Sequence, residues 1–156
     1  MDKSDRKPGM ALAVKRPPSI KSGLPLPSYT HYGIYEGMLQ GCEYVIHYNG
    51  EFFDKLNARI EEIPLSDFHK GDEWRIEDFG LKYSDAVREK SLQKARSRLG
   101  EQKYHPTENN CEHFARWCVT GVSKSQQVID ALKAAAKVAA VVAVAGIGYL
   151  TGRKRM

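Results

Sequence analysis

At 156 residues, 42% of them hydrophobic, the chain has enough apolar material for one domain with a single core. Its 24 Lys and Arg against 19 Asp and Glu give a net charge of +5, scattered along the chain and at both ends with no basic stripe interleaved with aromatics, so no nucleic-acid partner is expected. Three cysteines are too few for a disulfide framework and fit a reducing compartment, and a charged N-terminus without an apolar core of signal-peptide length argues against secretion by that route.

In chain order, residues 1–8 read as a disordered basic tail. "MALAVKR" (10–16) is a short strand, and "PPSIKSGLPLPS" (17–28) a Pro-rich loop that cannot enter a sheet interior. "THYGIYEG" (30–37) and "CEYVIHYNG" (42–50) are two strands rich in Tyr, Ile and Val, joined by a loop bounded by Gly37 and Gly41. "ARIEEIPLSDF" (58–68) and "EWRIEDFG" (73–80) are two more, with "HKGD" as the turn between them. "SDAVREKSLQKARSRLG" (84–100) is a helix capped by Ser84 or Asp85 and stopped at Gly100; a second helix starts near Asn110. The expected fold is α+β, an antiparallel sheet packed against helices, followed by a C-terminal hydrophobic helix.

The second helix opens "NNCEHFARWC" (109–118). With Cys111 in the first turn, Phe114, Ala115 and Cys118 share its apolar face, whereas Glu112, His113 and Arg116 point elsewhere. Cys111 then sits half exposed at the helix mouth, where free N–H groups favour a thiolate and can hold an oxyanion, with Thr107 and the two Asn residues as cap candidates. Cys118 reads as a small buried hydrophobe. A Cys111–Cys118 metal site fails on geometry, two turns being about 10 Å, and His113 faces away. Neither metal nor cofactor is expected.

A thiol nucleophile needs an imidazole partner. Pairing Gly37 with Gly41 sets Glu36 opposite Cys42 and His31 directly opposite His47, on one face with Cβ atoms about 5 Å apart. Gly33 leaves a hollow beside His31 where a helix terminus can approach. His69 and His105 read as surface residues.

These residues also resemble a known family, the lecithin retinol acyltransferase-like proteins with the small phospholipase A/acyltransferases. The resemblance rests on Asn110–Phe114 ("NCEHF"), on His31–Tyr35 ("HYGIY") and on His47 in the following strand, and covers roughly residues 9–128. It implies a circularly permuted relative of the NlpC/papain-like fold and a catalytic domain over 9–128. It implies a thioester mechanism on phospholipid or other lipid acyl esters, with Cys111 as nucleophile, His31 as general base and His47 orienting His31. A cysteine peptidase or amidase of NlpC type is the alternative enzyme reading, and an inactive interaction module the alternative outside catalysis.

Residues 129–156 close the chain. Val138 to Leu150 is an unbroken apolar run of 13 residues, extended to 20 if Lys133 and Lys137 are included from Ala131. The expectation is a C-terminal transmembrane helix over 131–150, followed by the basic end "GRKRM", that attaches an intracellular protein to a membrane with its catalytic domain in the cytoplasm. Acyl donor and acceptor cannot be read from the sequence.

Overall fold

The computed structural model describes residues 1–21, 23–50 and 56–153, with backbone alone for 21 and 145–153. Strands β1 (Ala11–Arg16), β2 (Ser19–Lys21), β3 (Leu24–Leu26), β4 (Tyr29–Leu39), β5 (Cys42–Tyr48) and β6 (Ile60–Pro64) precede the short helix α1 (Leu65–His69) and strand β7 (Trp74–Glu77). Helices α2 (Asp85–Ser97), α3 (Cys111–Thr120) and α4 (Gln126–Arg153) follow. The fold is α+β, as the pattern of elements implied.

Five strands form an antiparallel sheet in the order β6-β5-β4-β1-β7, so β4 and its long ladder lie at the centre. Alternation sends Tyr32, Ile34, Ile46, Tyr48 and Ile60 to one face, where Phe114, Ala115 and Cys118 of α3 and Ala95 of α2 cover them. Leu12, Val14, Tyr35, Val45 and Ile76 reach the other face, beneath Leu65 and Phe68 of α1. Burial on both faces explains why β1 begins with four buried residues in a row instead of alternating. Each large side chain so buried contributes about 1.5–3 kcal/mol of transfer free energy, and the two cores together hold the sheet from both sides.

Several expectations need correction. "ARIEEIPLSDF" is a strand only to Pro64; Pro64 cannot extend the ladder, and Leu65 starts α1. The Pro-rich loop stays out of the main sheet, yet makes its own hairpin of β2 and β3. The first residues are not disordered: Lys3–Asp5 form a 3-10 turn with a capping box, and Arg6 bonds Glu43 across the β4–β5 end of the sheet. The expected hairpin register is also wrong. Gln40 and Gly41 both have positive φ and make a two-residue turn that pairs Leu39 with Cys42, and a bulge between Tyr35 and Gly37 moves the ladder once more. His47 therefore lies opposite Gly33, not His31.

The chain divides into two compact units, Met1–Ser125 and Gln126–Met156. In the second, α4 exposes Leu132, Val138, Val141, Val142 and Val144. Among the described residues, no helix is long and apolar enough to cross a membrane; the side chains of 145–150, the end of the expected 131–150 span, lie outside the described residues. Asp130, Lys133 and Lys137 interrupt the helix on one side. The 13-residue apolar run spans about 20 Å against a hydrocarbon core of about 30 Å, and much of it is Ala and Gly. Of the basic end, residues 154–156 lie outside the described residues.

Candidate active site

The mouth of α3 is built by its own opening residues. Asn110 is the N-cap; its Oδ1 accepts from the N–H groups of Glu112 (3.0 Å) and His113 (3.1 Å). The Asn110 N–H in turn donates to His113 Nδ1, so a histidine completes the capping box that usually uses Glu or Gln. Asn110 Nδ2 donates to the Pro106 carbonyl and ties the helix start to the preceding turn.

Glu112 and His113, off the Cys111 face by the helical pattern, are nevertheless both buried. Glu112 accepts from Ser125 Oγ at 2.7 Å and from Arg116 at 3.2 Å. Polar side chains are tolerated there because partners within the domain satisfy them.

Cys111 is buried rather than half exposed. Burial pushes its thiol up to about 11, and nearby backbone N–H groups, Tyr32's foremost, pull against that without reversing it. The resting group is therefore the neutral thiol, not the expected thiolate. Cys118, one face down the helix, is pushed up to about 12 by burial; it packs as an apolar side chain in the core.

The Tyr32 contact follows from strand parity. Tyr35 donates its N–H to Met10 on the β1 side, so odd-numbered residues of this part of β4 face β1 and even-numbered ones face β5. The β4–β5 ladder ends at Gly33 and His47. The next N–H on that side, Tyr32's, lies beyond the ladder and close enough to the Cys111 sulfur to pull its pKa down. The thiol thus comes from the α3 face and reaches the fork where β5 leaves β4, one residue along from His31.

His31 and His47 lie on the opposite face, both buried. They are diagonal neighbours across the β4–β5 pair, and His31 Nε2 lies 2.8 Å from His47 Nδ1. Phe68 packs against both rings, at 5.3 Å and 5.9 Å between centroids. It also fills the expected hollow: a Cβ on Gly33 would meet Val45 Cγ1 at 2.5 Å and Phe68 at 3.0 Å, so the hollow admits α1, not the end of α3. Arg16 holds α1 in place by donating to the carbonyls of Phe68 and His69 and pairing with Asp72 at 2.8 Å.

Both imidazoles are neutral near pH 7. Burial drives His31 well below its ordinary value, helped by His47, Arg16 and Lys70. Burial likewise lowers His47, to about 4, against a pull upward from Glu61. Among the described residues no hydrogen bond joins the Cys111 thiol to either ring. The structure therefore brings the two histidines into direct contact and sets the cysteine at the neighbouring backbone position.

Sequence reasoning missed Glu61. The β5–β6 register places it directly opposite His47, with Oε1 3.6 Å from His47 Nε2. That is an ion-pair distance; His47 Nε2 has no hydrogen-bond partner and faces the carboxylate across this gap. Asn49 Nδ2 (2.7 Å) and Arg59 (3.2 Å) fix Glu61. A cleft of about 260 Å³ opens over the rings, lined among others by Arg16, Tyr29, Glu61, Phe68 and Lys70. No local pattern marks Glu61; only the pairing of a third strand reveals it.

A helix-mouth cysteine and a bonded imidazole pair thus lie at one end of an antiparallel sheet in an α+β fold. The chain belongs to the lecithin retinol acyltransferase family, whose profile matches residues 4–124. That membership carries acyltransferase- or phospholipase-type activity on lipid acyl-ester substrates as its general implication. A comparison with curated individual proteins finds no match.

Proposed function

We propose that the protein is a cysteine-dependent acyltransferase or phospholipase that carries the acyl group of a lipid ester on Cys111 as a thioester. The observation that supports this most is the 2.8 Å contact between His31 Nε2 and His47 Nδ1, one residue along β4 from Tyr32, whose N–H pulls the Cys111 thiol pKa down.

The tautomers follow from using His31 as a base. Its Nδ1 must be free to take a proton, so Nε2 carries the hydrogen and donates to His47 Nδ1. The hydrogen of His47 is then on Nε2, aimed at the Glu61 carboxylate. His31 takes the thiol proton as sulfur attacks the ester carbonyl carbon. The charge that develops on His31 is stabilised through His47 and Glu61, the part played by the third member of a triad. In this reading the Cys111 and Tyr32 N–H groups receive the carbonyl oxygen, since those of Glu112 and His113 are already given to the Asn110 cap. Collapse breaks the C–O bond, the departing alkoxide recovers the proton from His31, and the thioester remains. Water or an acceptor hydroxyl or amine then attacks the thioester while His31 takes its proton; collapse breaks the C–S bond, the acyl product leaves, and the Cys111 sulfur recovers the proton from His31.

A neutral thiol beside neutral imidazoles makes this general-base catalysis rather than attack by a standing thiolate–imidazolium pair. The test is to incubate the protein with a phospholipid panel, quench in acid and weigh the intact chain. The expected result is an acyl-sized mass increase on the peptide holding Cys111, absent from Cys111→Ala. No adduct with any ester, together with no product, would end the proposal.

A further inference from the structure

We propose that the β2–β3 hairpin is a blade that enters the interfacial layer of a phospholipid membrane and sets the cleft against it. The inference rests on the lipid-ester reading above and adds the surface through which such a substrate arrives.

The hairpin springs from the site itself. Arg16 and Tyr29 form the last pair of the β1–β4 ladder, and both line the cleft; residues 17–28 extend the chain beyond that pair. Its apolar side chains are not packed on either core. Ile20 is 79% exposed and Leu24 51%. Gly23, with φ +78, turns the tip, and nothing lies within 4 Å of where its Cβ would be.

Two features select a membrane over a protein. First, the blade is apolar on both faces: Ile20 shares one with Pro25, while Leu24 and Leu26 lie on the other. A single protein face can cover only one of these, whereas the headgroup–acyl boundary can surround both. Second, Pro17, Pro18, Pro25 and Pro27 supply no N–H, so the hairpin is a poor template for another strand.

Charge agrees with an anionic lipid surface. Lys15 just before the hairpin and Lys70 on the cleft rim are exposed, and Lys21 lies next to the tip in sequence. Lysines so placed can meet lipid phosphates while apolar neighbours go deeper.

The experiment uses the full chain and vesicles of phosphatidylcholine with one-quarter phosphatidylserine. Ile20→Trp places a reporter in the blade; the native Trp74 and Trp117 give the background to subtract. Its emission should shift to the blue on vesicles and be quenched by brominated acyl chains. Ile20→Ser with Leu24→Ser should weaken vesicle binding by about tenfold or more and lower turnover of vesicle phospholipid in proportion. It should leave turnover of a dispersed short-chain ester unchanged. Met38→Ser, an exposed apolar position at the far end of β4, is the control and should change neither.

The proposal is overturned if the Ile20→Trp signal stays unshifted, or if the double variant binds vesicles like wild type. It is also overturned if wild type forms a dimer that the double variant lacks while vesicle binding is equal in both, which would assign the blade to a second copy. Hairpin-dependent binding without any acyl adduct on Cys111 would uphold the blade and defeat the enzyme reading instead.

Discussion

The two faces of the sheet are built on different principles. On the α3 face the important group is positioned by its immediate neighbours: Asn110 caps the helix, His113 answers the cap, and Cys111 follows within three residues. On the α1 face nothing local suffices. His31 and His47 come from different strands, their carboxylate from a third, and their aromatic wall from a short helix pinned by Arg16 of a fourth. The thiol is secured by sequence-local hydrogen bonds, the imidazoles by the registers of long-range pairings. Damage on the first face should therefore be confined to chemistry or to the helix, and damage on the second should spread through several partners.

The largest expected effect removes the proposed nucleophile. Cys111→Ala should reduce turnover at least 10³-fold, to background, with a far-UV spectrum and melting curve close to wild type. Cys118→Ala, in the core of the same helix, should do the reverse, costing about 1–2 kcal/mol of stability in urea titration and leaving turnover intact. Matching behaviour of the two variants would erase the distinction between them.

Next comes the imidazole pair. His31→Gln should cost roughly 10³-fold or more, because no base remains. His47→Gln should cost less, roughly 10²-fold, since an amide can still hold the His31 ring by a hydrogen bond. If His47→Gln were inactive and His31→Gln active, the two roles would be exchanged. Glu61→Gln should cost about tenfold in kcat with KM little changed, because it removes charge at 3.6 Å from His47 while keeping the shape. An unchanged kcat would show that His47 needs no carboxylate behind it.

The smallest effect is on acid stability. Both imidazoles have folded values below the ordinary value of about 6.5, so between the two the unfolded chain binds more protons. Stability is then complete above about pH 6.5 and declines as pH falls toward about 4, where His47 titrates. Urea midpoints measured from pH 7.5 down to 5 should decrease, and less steeply in His47→Gln. A midpoint that rose on acidification would contradict the burial of neutral rings.

The difference between the faces also explains what the sequence could tell. Cys111 and its helix are legible because their geometry is local. The histidine pair survives an incorrect register for a reason of parity. The two-residue turn at Gln40–Gly41 and the bulge before Gly37 together move the ladder by two residues, which keeps His31 and His47 on one face. A shift of one would have separated them. Glu61 and Phe68 were illegible because each depends on an element whose path a short motif does not fix: the β5–β6 register and the change from strand to helix after Pro64. The burial of Glu112 was illegible because helical periodicity records polarity and not the presence of Ser125 and Arg116 to satisfy it.

Oxidants and alkylating reagents attack thiolate, and a sulfur that ionises near pH 11 offers only about one part in ten thousand of it at pH 7. Peroxide, haloacetamides and mixed disulfides will find Cys42 first, since it is exposed at the start of β5. The enclosure that keeps Cys111 protonated thus serves as chemical armour: the chain can sit among electrophiles without being inactivated, and its sulfur becomes vulnerable only when something in the cleft draws the proton away.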